Sequence, residues 1–295
     1  MLNKFALTSI IVVFIFSSII NGKAQTLFSS QILDNTTKEE LPFANVYIKG
    51  KSIGTSSNEK GEFSIYAQSS DTLIVSYIGY LPFSCVLSDL DSITFLKPPE
   101  NLLNKVEISS CRSREKLKIE NRGKRMFAIS GFNQYVMLLK NPKNEIGFVE
   151  KITIDTTPRA AQTGRYDILV RLRVYKNENN LPTDDLLTTN IYKRVKKGQT
   201  IFAINLKDYD VFLPKNGCFI GVEVVGKYNK KNEFFPCSDK DITKMSIEVG
   251  EDNEGNYLTY FKEFGKEWKP LPAFPKDGEF IKTGARFWVN IVYYK

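Results

Sequence analysis

The sequence predicts an all-β chain, a small antiparallel sandwich followed by a larger, jelly-roll-like sandwich. Three observations carry this. Apolar and polar residues alternate at period two in many short runs. Clusters of Gly, Pro, Asn and Asp separate the runs. A charged stretch over residues 99–124 divides the runs into two groups, residues 26–98 and 125–295.

Residues 1–25 read as a secretory signal. Lys4 supplies the positive start, Phe5 to Ile20 the apolar run, and Gly22-Lys23-Ala24 the small residues that a signal peptidase reads, so cleavage is expected after Ala24 or Gln25. The alternative is an uncleaved anchor, for which the run is slightly short of the roughly 20 apolar residues that span a bilayer. Any membrane association is expected only through this segment or through an envelope partner.

In residues 26–98, Leu27 to Leu33 is the first strand and Asp34 to Thr37 a turn. Ala44, Val46 and Ile48 alternate with Asn45, Tyr47 and Lys49, and Phe63, Ile65 and Ala67 form a second inward set. Asn58-Glu59-Lys60-Gly61 is a tight turn in which Gly61 is free to take positive φ. Thr72 to Ile78, Phe83 to Leu87 and Ser92 to Leu96 complete the set.

The blocks LPFANVYIKG, IGTSSNEKGEFSI and DTLIVSYIGY, in that order, resemble the carboxypeptidase-like regulatory domain. The resemblance covers about a quarter of the chain. It implies a prealbumin-like (transthyretin-like) seven-stranded sandwich, of a kind found at the N-terminus of TonB-dependent receptors and in exported proteins of Gram-negative envelopes. It therefore implies a location in the periplasm, at the outer membrane or on the cell surface. Phe43 stands where the family usually has Gly, and Asn58 where it usually has Asp. Turn geometry is tolerated by Asn as by Asp.

The family name suggests a peptidase, but the chain contains 0 His. A Ser-His-Asp triad, a Cys-His dyad and a zinc site that needs imidazole are all excluded within it. No receptor barrel is expected either, because too few residues follow and no long series of amphipathic barrel strands appears. Carboxylate-based catalysis is left open, though no pair of carboxylates stands out as the two facing groups a glycosidase needs. No cofactor is expected.

Residues 99–124 read as a solvated linker, with a short helix possible around Glu115 to Glu120. The net charge of +8 gathers partly there and partly between Lys193 and Lys197. Without interleaved aromatics the linker is no nucleic-acid platform, and no nucleic-acid partner is expected.

In residues 125–295 strands are expected at Gln134 to Leu139 and Gly147 to Asp155, joined as a hairpin through Asn141-Pro142-Lys143-Asn144. Tyr166 to Tyr175 places Ile168, Val170, Leu172 and Val174 on one face and Asp167, Leu169, Arg171 and Arg173 on the other. Asn177 to Thr183 reads as a polar loop, with Thr183 capping one helical turn. Gly217 to Val225 is the most apolar strand and is expected to be central.

The chain has 4 Cys, which allow three pairings in an exported protein. Cys218–Cys237 is the pairing expected if one forms, worth about 3 kcal/mol by loop entropy; unpaired thiols are the alternative. A ligand site, if present, is expected on the loop-rich segment from Glu251 to Pro275. There Tyr257, Tyr260 and Trp268 could stack on a sugar ring while Asp252 accepts hydroxyl protons; the alternative is that these aromatics close the core. No metal site is expected, since Asp252 to Asn256 lacks full calcium-loop spacing. The sequence thus reads as a non-catalytic exported envelope protein that works by interaction or scaffolding, its partner an envelope protein or a glycan, or alternatively as a carbohydrate-binding accessory protein.

Overall fold

The computed structural model describes residues 25–295 except 101–113, 121–124, 132, 144, 157–165, 239–243, 253–257, 264, 277–278, 286 and 295. Residues 1–24 of the expected signal segment, Cys111 and Tyr257 lie outside the described residues.

Seven strands build the first sandwich. One sheet has the order β4-β1-β7, from β1 (Thr26–Asp34), β4 (Glu62–Ala67) and β7 (Ile93–Leu96). The other has the order β3-β2-β5-β6, from β2 (Asn45–Ile48), β3 (Gly54–Ser56), β5 (Thr72–Ser76) and β6 (Phe83–Val86). The inward set closes a separate core that includes Ile32, Val46, Ile48, Phe63, Ile65, Leu73, Val75 and Leu96. One pairing departs from the antiparallel expectation: β1 and β7 run parallel, with Gln31 opposite Ile93. The Leu87–Asp89 3-10 turn carries the chain from one sheet to the other, so β7 enters alongside β1 rather than folding back on β6.

The second sandwich is larger. Its main sheet has the order β13-β12-β17-β10-β20-β21, from β10 (Asn133–Leu139), β12 (Asp167–Glu178), β13 (Leu181–Asp185), β17 (Cys218–Tyr228), β20 (Thr259–Glu263) and β21 (Lys269–Pro270). In addition, β14 (Tyr192–Val195) pairs with β12, and β18 (Phe234–Pro236) with β17. A second sheet joins β8 (Arg114–Glu120), β11 (Gly147–Asp155), β15 (Ile201–Asn205), β16 (Phe212–Leu213) and β25 (Phe287–Tyr294). A third joins β9 (Arg125–Ser130), β19 (Lys244–Glu251) and β24 (Thr283–Ala285), and β22 (Phe274–Lys276) pairs with β23 (Glu279–Ile281). Ile168, Val170, Leu172, Val174, Ile220, Val222 and Val224 point from the main sheet into a core shared with Ile152, Ile154, Val289 and Ile291. The strand predicted as central is central, and all of β17 is buried.

Three further expectations are corrected. Residues 114–120 are neither solvated linker nor helix but strand β8, antiparallel to β25 from Arg114–Tyr294 to Glu120–Trp288. Charge on alternate residues does not prevent sheet formation, since the backbone bonds are indifferent to it. The segments around Asn141 do not pair as a hairpin, because β10 and β11 belong to different sheets and the loop between them turns a sandwich corner. The supposed helical turn after Thr183 is strand β13, joined to β12 by Asn179-Asn180, both at positive φ of 54° and 62°. Two successive left-handed residues are the type I′ hairpin signature, and Asn tolerates that region.

Cys218 and Cys237 form no disulfide; both are buried thiols. Cys218 opens β17, whereas the Cys237 backbone N–H bonds to the Val225 carbonyl at 3.1 Å, near the other end of the strand. Seven strand residues span roughly 23 Å, far beyond the ~7 Å Cα separation that a disulfide can bridge.

Candidate functional site: the junction of the two sandwiches

The outer face of the main sheet is not a solvent face. Tyr192, Arg171, Glu223 and Gln134 lie opposite one another across β14, β12, β17 and β10. Arg171 and Glu223 are each 0% exposed. Such a pair is tolerable in a dry interior only if every donor and acceptor is used, and here they are. Arg171 Nε donates to Glu223 Oε2 at 3.2 Å and Nη2 to Oε1 at 2.9 Å. Its remaining donors cross to the first sandwich or to a loop: Nη1 reaches the Phe43 carbonyl and Asn190 Oδ1, both at 3.1 Å, and Nη2 reaches Asn45 Oδ1. All five guanidinium N–H groups are spent.

Burial opposes ionisation of Glu223, but the guanidiniums of Arg171 and Arg173 outweigh it and hold the carboxyl below its ordinary range. Arg173 donates from Nε to Tyr175 Oη at 2.7 Å and lies 3.1 Å from Asp185 Oδ2. Tyr175 in turn donates to Gln134 at 2.6 Å. Burial pushes the Asp185 carboxyl up, against the pull of Arg173.

The first sandwich meets this face with residues that its alternation turns outward. In β2, Val46 and Ile48 fill its own core while Asn45 faces the neighbour. Phe43 has φ of 61°, a strained conformation for an aromatic residue. Its ring packs edge-on between Tyr192 at 5.2 Å and Phe234 at 4.8 Å, beside Leu169 and Val225. Here lies the physical reason for a Phe where Gly is usual: the backbone keeps the Gly-type turn, and the side chain docks the second sandwich. Ile78, from the YIGY block, is buried in the second core, and Gly79 at φ 86° presses so close that a Cβ would meet the Thr188 carbonyl oxygen at 2.2 Å. Ser56 Oγ donates to the Val225 carbonyl at 3.3 Å, and Thr55 bridges Ser238.

At the edge of this junction lies a cavity of about 330 Å³ between Ser76, Tyr77, Tyr80 and Pro82 of the first sandwich and Arg173, Asp185, Leu187 and Thr188 of the second. Its charged wall is internally paired, Arg171 with Glu223 and Arg173 with Asp185. Among the described residues there is no group of three His, Cys, Asp or Glu side chains suited to a metal.

The sequence-predicted ligand residues fall elsewhere. Tyr260 and Trp268 share a small half-buried cluster on the main sheet's outer face, Tyr260 edge-on to Phe219 at 5.6 Å and Trp268 edge-on to Tyr175 at 5.1 Å. Asp252 is buried, its backbone N–H bonded to the Lys282 carbonyl at 2.9 Å. The sequence reading missed the junction residues. A signal for them existed: Glu223 is the lone carboxylate within an apolar strand, and a buried carboxylate demands a cation such as Arg171 opposite.

Comparison with known proteins identifies the docking partner in this junction. Residues 28–108 match the CarboxypepD_reg-like domain. That domain is 35% identical over 82 residues to TonB-dependent receptor P26 of Formosa agariphila, an alignment covering 27% of this chain and 8% of the receptor. It is 38% identical over 63 residues to TonB-dependent receptor SusC of Bacteroides thetaiotaomicron, covering 21% of this chain and 6% of that protein. The chain therefore spans under a tenth of these relatives. Among solved structures, the cysteine protease and lectin-like domains of Cwp84 from Clostridium difficile align at TM-score 0.37 and 10% identity, over 92% of this chain and 59% of that one. Infectious bursal disease virus aligns at TM-score 0.23 and 8% identity, over 92% and 55%. Likenesses this faint carry no inference.

Proposed function

We propose that this protein is a non-catalytic, exported component of a Gram-negative envelope, in which the CarboxypepD_reg-like domain and the larger sandwich act as one rigid binding unit. The observation that supports the reading is the use of the buried charges. Arg171 spends every donor on holding the two sandwiches and its own counter-ion. A carboxylate enzyme would need one carboxyl poised as acid and another available as base or nucleophile. In the junction, Glu223 is committed to Arg171, and Asp185 sits beside Arg173. Envelope placement draws on the TonB-dependent receptors that share the first domain.

Fractionation and affinity purification of the tagged protein from native envelopes test this reading. Recovery of a stoichiometric envelope partner is the expected result. A cytoplasmic location, or glycosidase turnover abolished by Asp185→Asn, would overturn it. The carbohydrate-binding alternative draws on the proximity of Tyr260 and Trp268 in one half-exposed cluster. Glycan-array binding lost in Trp268→Ala would favour it.

A further inference from the structure

A second concavity, of about 530 Å³, lies away from the junction and is lined by Tyr166, Lys197, Asn229, Lys230, Lys231 and Glu233. The turn after β14 and the tip of the β17–β18 hairpin form it, together with Tyr166 immediately before β12. Both loops are held by their own polar groups. Asp167 Oδ2 accepts from Arg194 Nε at 2.8 Å and from Lys196 Nζ at 3.1 Å, while Oδ1 accepts from the Lys197 backbone N–H at 2.9 Å. Arg194 also donates to Asn232 Oδ1 and covers the Tyr228 ring at 4.0 Å, which ties the two loops together. Asn229 Oδ1 accepts from the backbone N–H groups of Lys231 at 2.8 Å and Glu233 at 3.0 Å.

This arrangement leaves an excess of positive charge in one place. Asp167 is occupied by Arg194 and Lys196. Glu233 accepts from Asn229 Nδ2 at 2.6 Å, and Lys227 lies over the Tyr166 ring at 5.0 Å. Among the described residues, no carboxylate lies within ion-pair distance of Lys197, Lys230 or Lys231. Three lysines and one carboxylate thus line a concavity that also holds Tyr166, a surplus of positive charge that a dianion balances. Lysine serves phosphate as a point charge with rotatable donors.

We propose that this concavity binds a phosphate-bearing ligand, with Lys197, Lys230 and Lys231 contacting its phosphate oxygens. The test is calorimetric titration of the protein with inorganic pyrophosphate at low ionic strength, together with sedimentation on phosphatidylcholine vesicles with and without phosphatidic acid. Pyrophosphate is expected to bind, more weakly as salt is added. The K197A/K230A/K231A variant, altered only at exposed side chains, is expected to bind roughly tenfold more weakly or worse, from three contacts of modest strength. A charge-matched control, K151A/K207A/K215A, is expected to bind as the parent does. Sedimentation on phosphatidic acid vesicles that pyrophosphate competes away assigns a lipid headgroup; pyrophosphate binding without sedimentation assigns a soluble phosphate ester. Absence of pyrophosphate binding by the parent, equal loss in the control variant, or vesicle binding that pyrophosphate does not displace would each overturn the proposal.

Discussion

Arg171 in the second sandwich donates a hydrogen bond to the main-chain carbonyl of Phe43 in the first, at 3.1 Å. The contact joins the two features that hold the junction. One is a fully satisfied buried ion pair; the other is an aromatic residue at positive φ whose ring fills a socket in the neighbouring sandwich.

Removing one member of the ion pair strands the other. Arg171→Met leaves Glu223 buried with only the longer 3.7 Å contact to Arg173 Nε as a counter-ion, and is expected to cost about 3–5 kcal/mol. The double variant Arg171→Met/Glu223→Leu removes both charges and should be more stable than the single variant. Urea unfolding of the three proteins measures this, and a double variant weaker than the single would contradict it.

Phe43 reverses the usual ranking of Ala over Gly. Both substitutions lose the ring packed against Tyr192 and Phe234. At φ of 61°, however, Gly adopts the backbone without strain and Ala does not. Phe43→Gly should therefore be about 1 kcal/mol more stable than Phe43→Ala, with both below the parent. Thermal unfolding monitored by circular dichroism decides it.

Gly79 and Gly50 separate contact from strain. Their φ values are similar, 86° and 74°, but an added Cβ meets Thr188 at 2.2 Å in one and nothing within 4 Å in the other. Gly50→Ala should cost only the backbone strain, about 1 kcal/mol. Gly79→Ala should cost more and should increase proteolytic nicking between the sandwiches. Equal losses would show that the junction does not press on Gly79.

Asp34 makes stability fall in acid. The Tyr80 hydroxyl bond at 2.5 Å, with the N–H groups of Thr37 and Thr36, holds its carboxyl below the ordinary 3.8. A depressed folded pKa stabilises fully above the unfolded value and loses that stabilisation as pH falls through the folded value. Asp34→Asn should be less stable than the parent at pH 7, and the gap should shrink as pH drops below about 4. A gap that is constant with pH would remove the carboxylate from the account.

Non-reducing peptide mapping is expected to find no linkage between Cys218 and Cys237, which bond at opposite ends of β17. A linked peptide would require a rearranged main sheet.

Much of the fold was legible because alternation is a local property. Phe63, Ile65 and Ala67, and likewise Ile168 to Val174, face the cores that their period assigns. What alternation cannot reveal is the covering of the opposite face. Alternation places Arg171 and Arg173 only on the face opposite Ile168 and Val170, yet one is sealed under the first sandwich and the other lies at the edge of the junction cavity. Strand β8 was hidden for a different reason: Leu117 and Ile119 alternate with Lys116, Lys118 and Glu120 over only a short run inside a charged stretch, and its pairing with β25 is made by the backbone. Tyr260 and Trp268 pack against one small cluster, whereas Asp252 belongs to the end of another sheet.

The sequence by itself determined the β class, a small sandwich as the first domain, and the absence of imidazole chemistry, since composition, period and turn residues act locally. Only the tertiary structure decided that Phe43, Asn45 and Ile78 dock the larger sandwich, that Arg171 and Glu223 are a buried junction, and that two basic loops converge near Tyr166. Each of these depends on which outward-facing side chains meet after the sheets have closed, and that is set by the long-range packing of separate strands rather than by the pattern within any one of them.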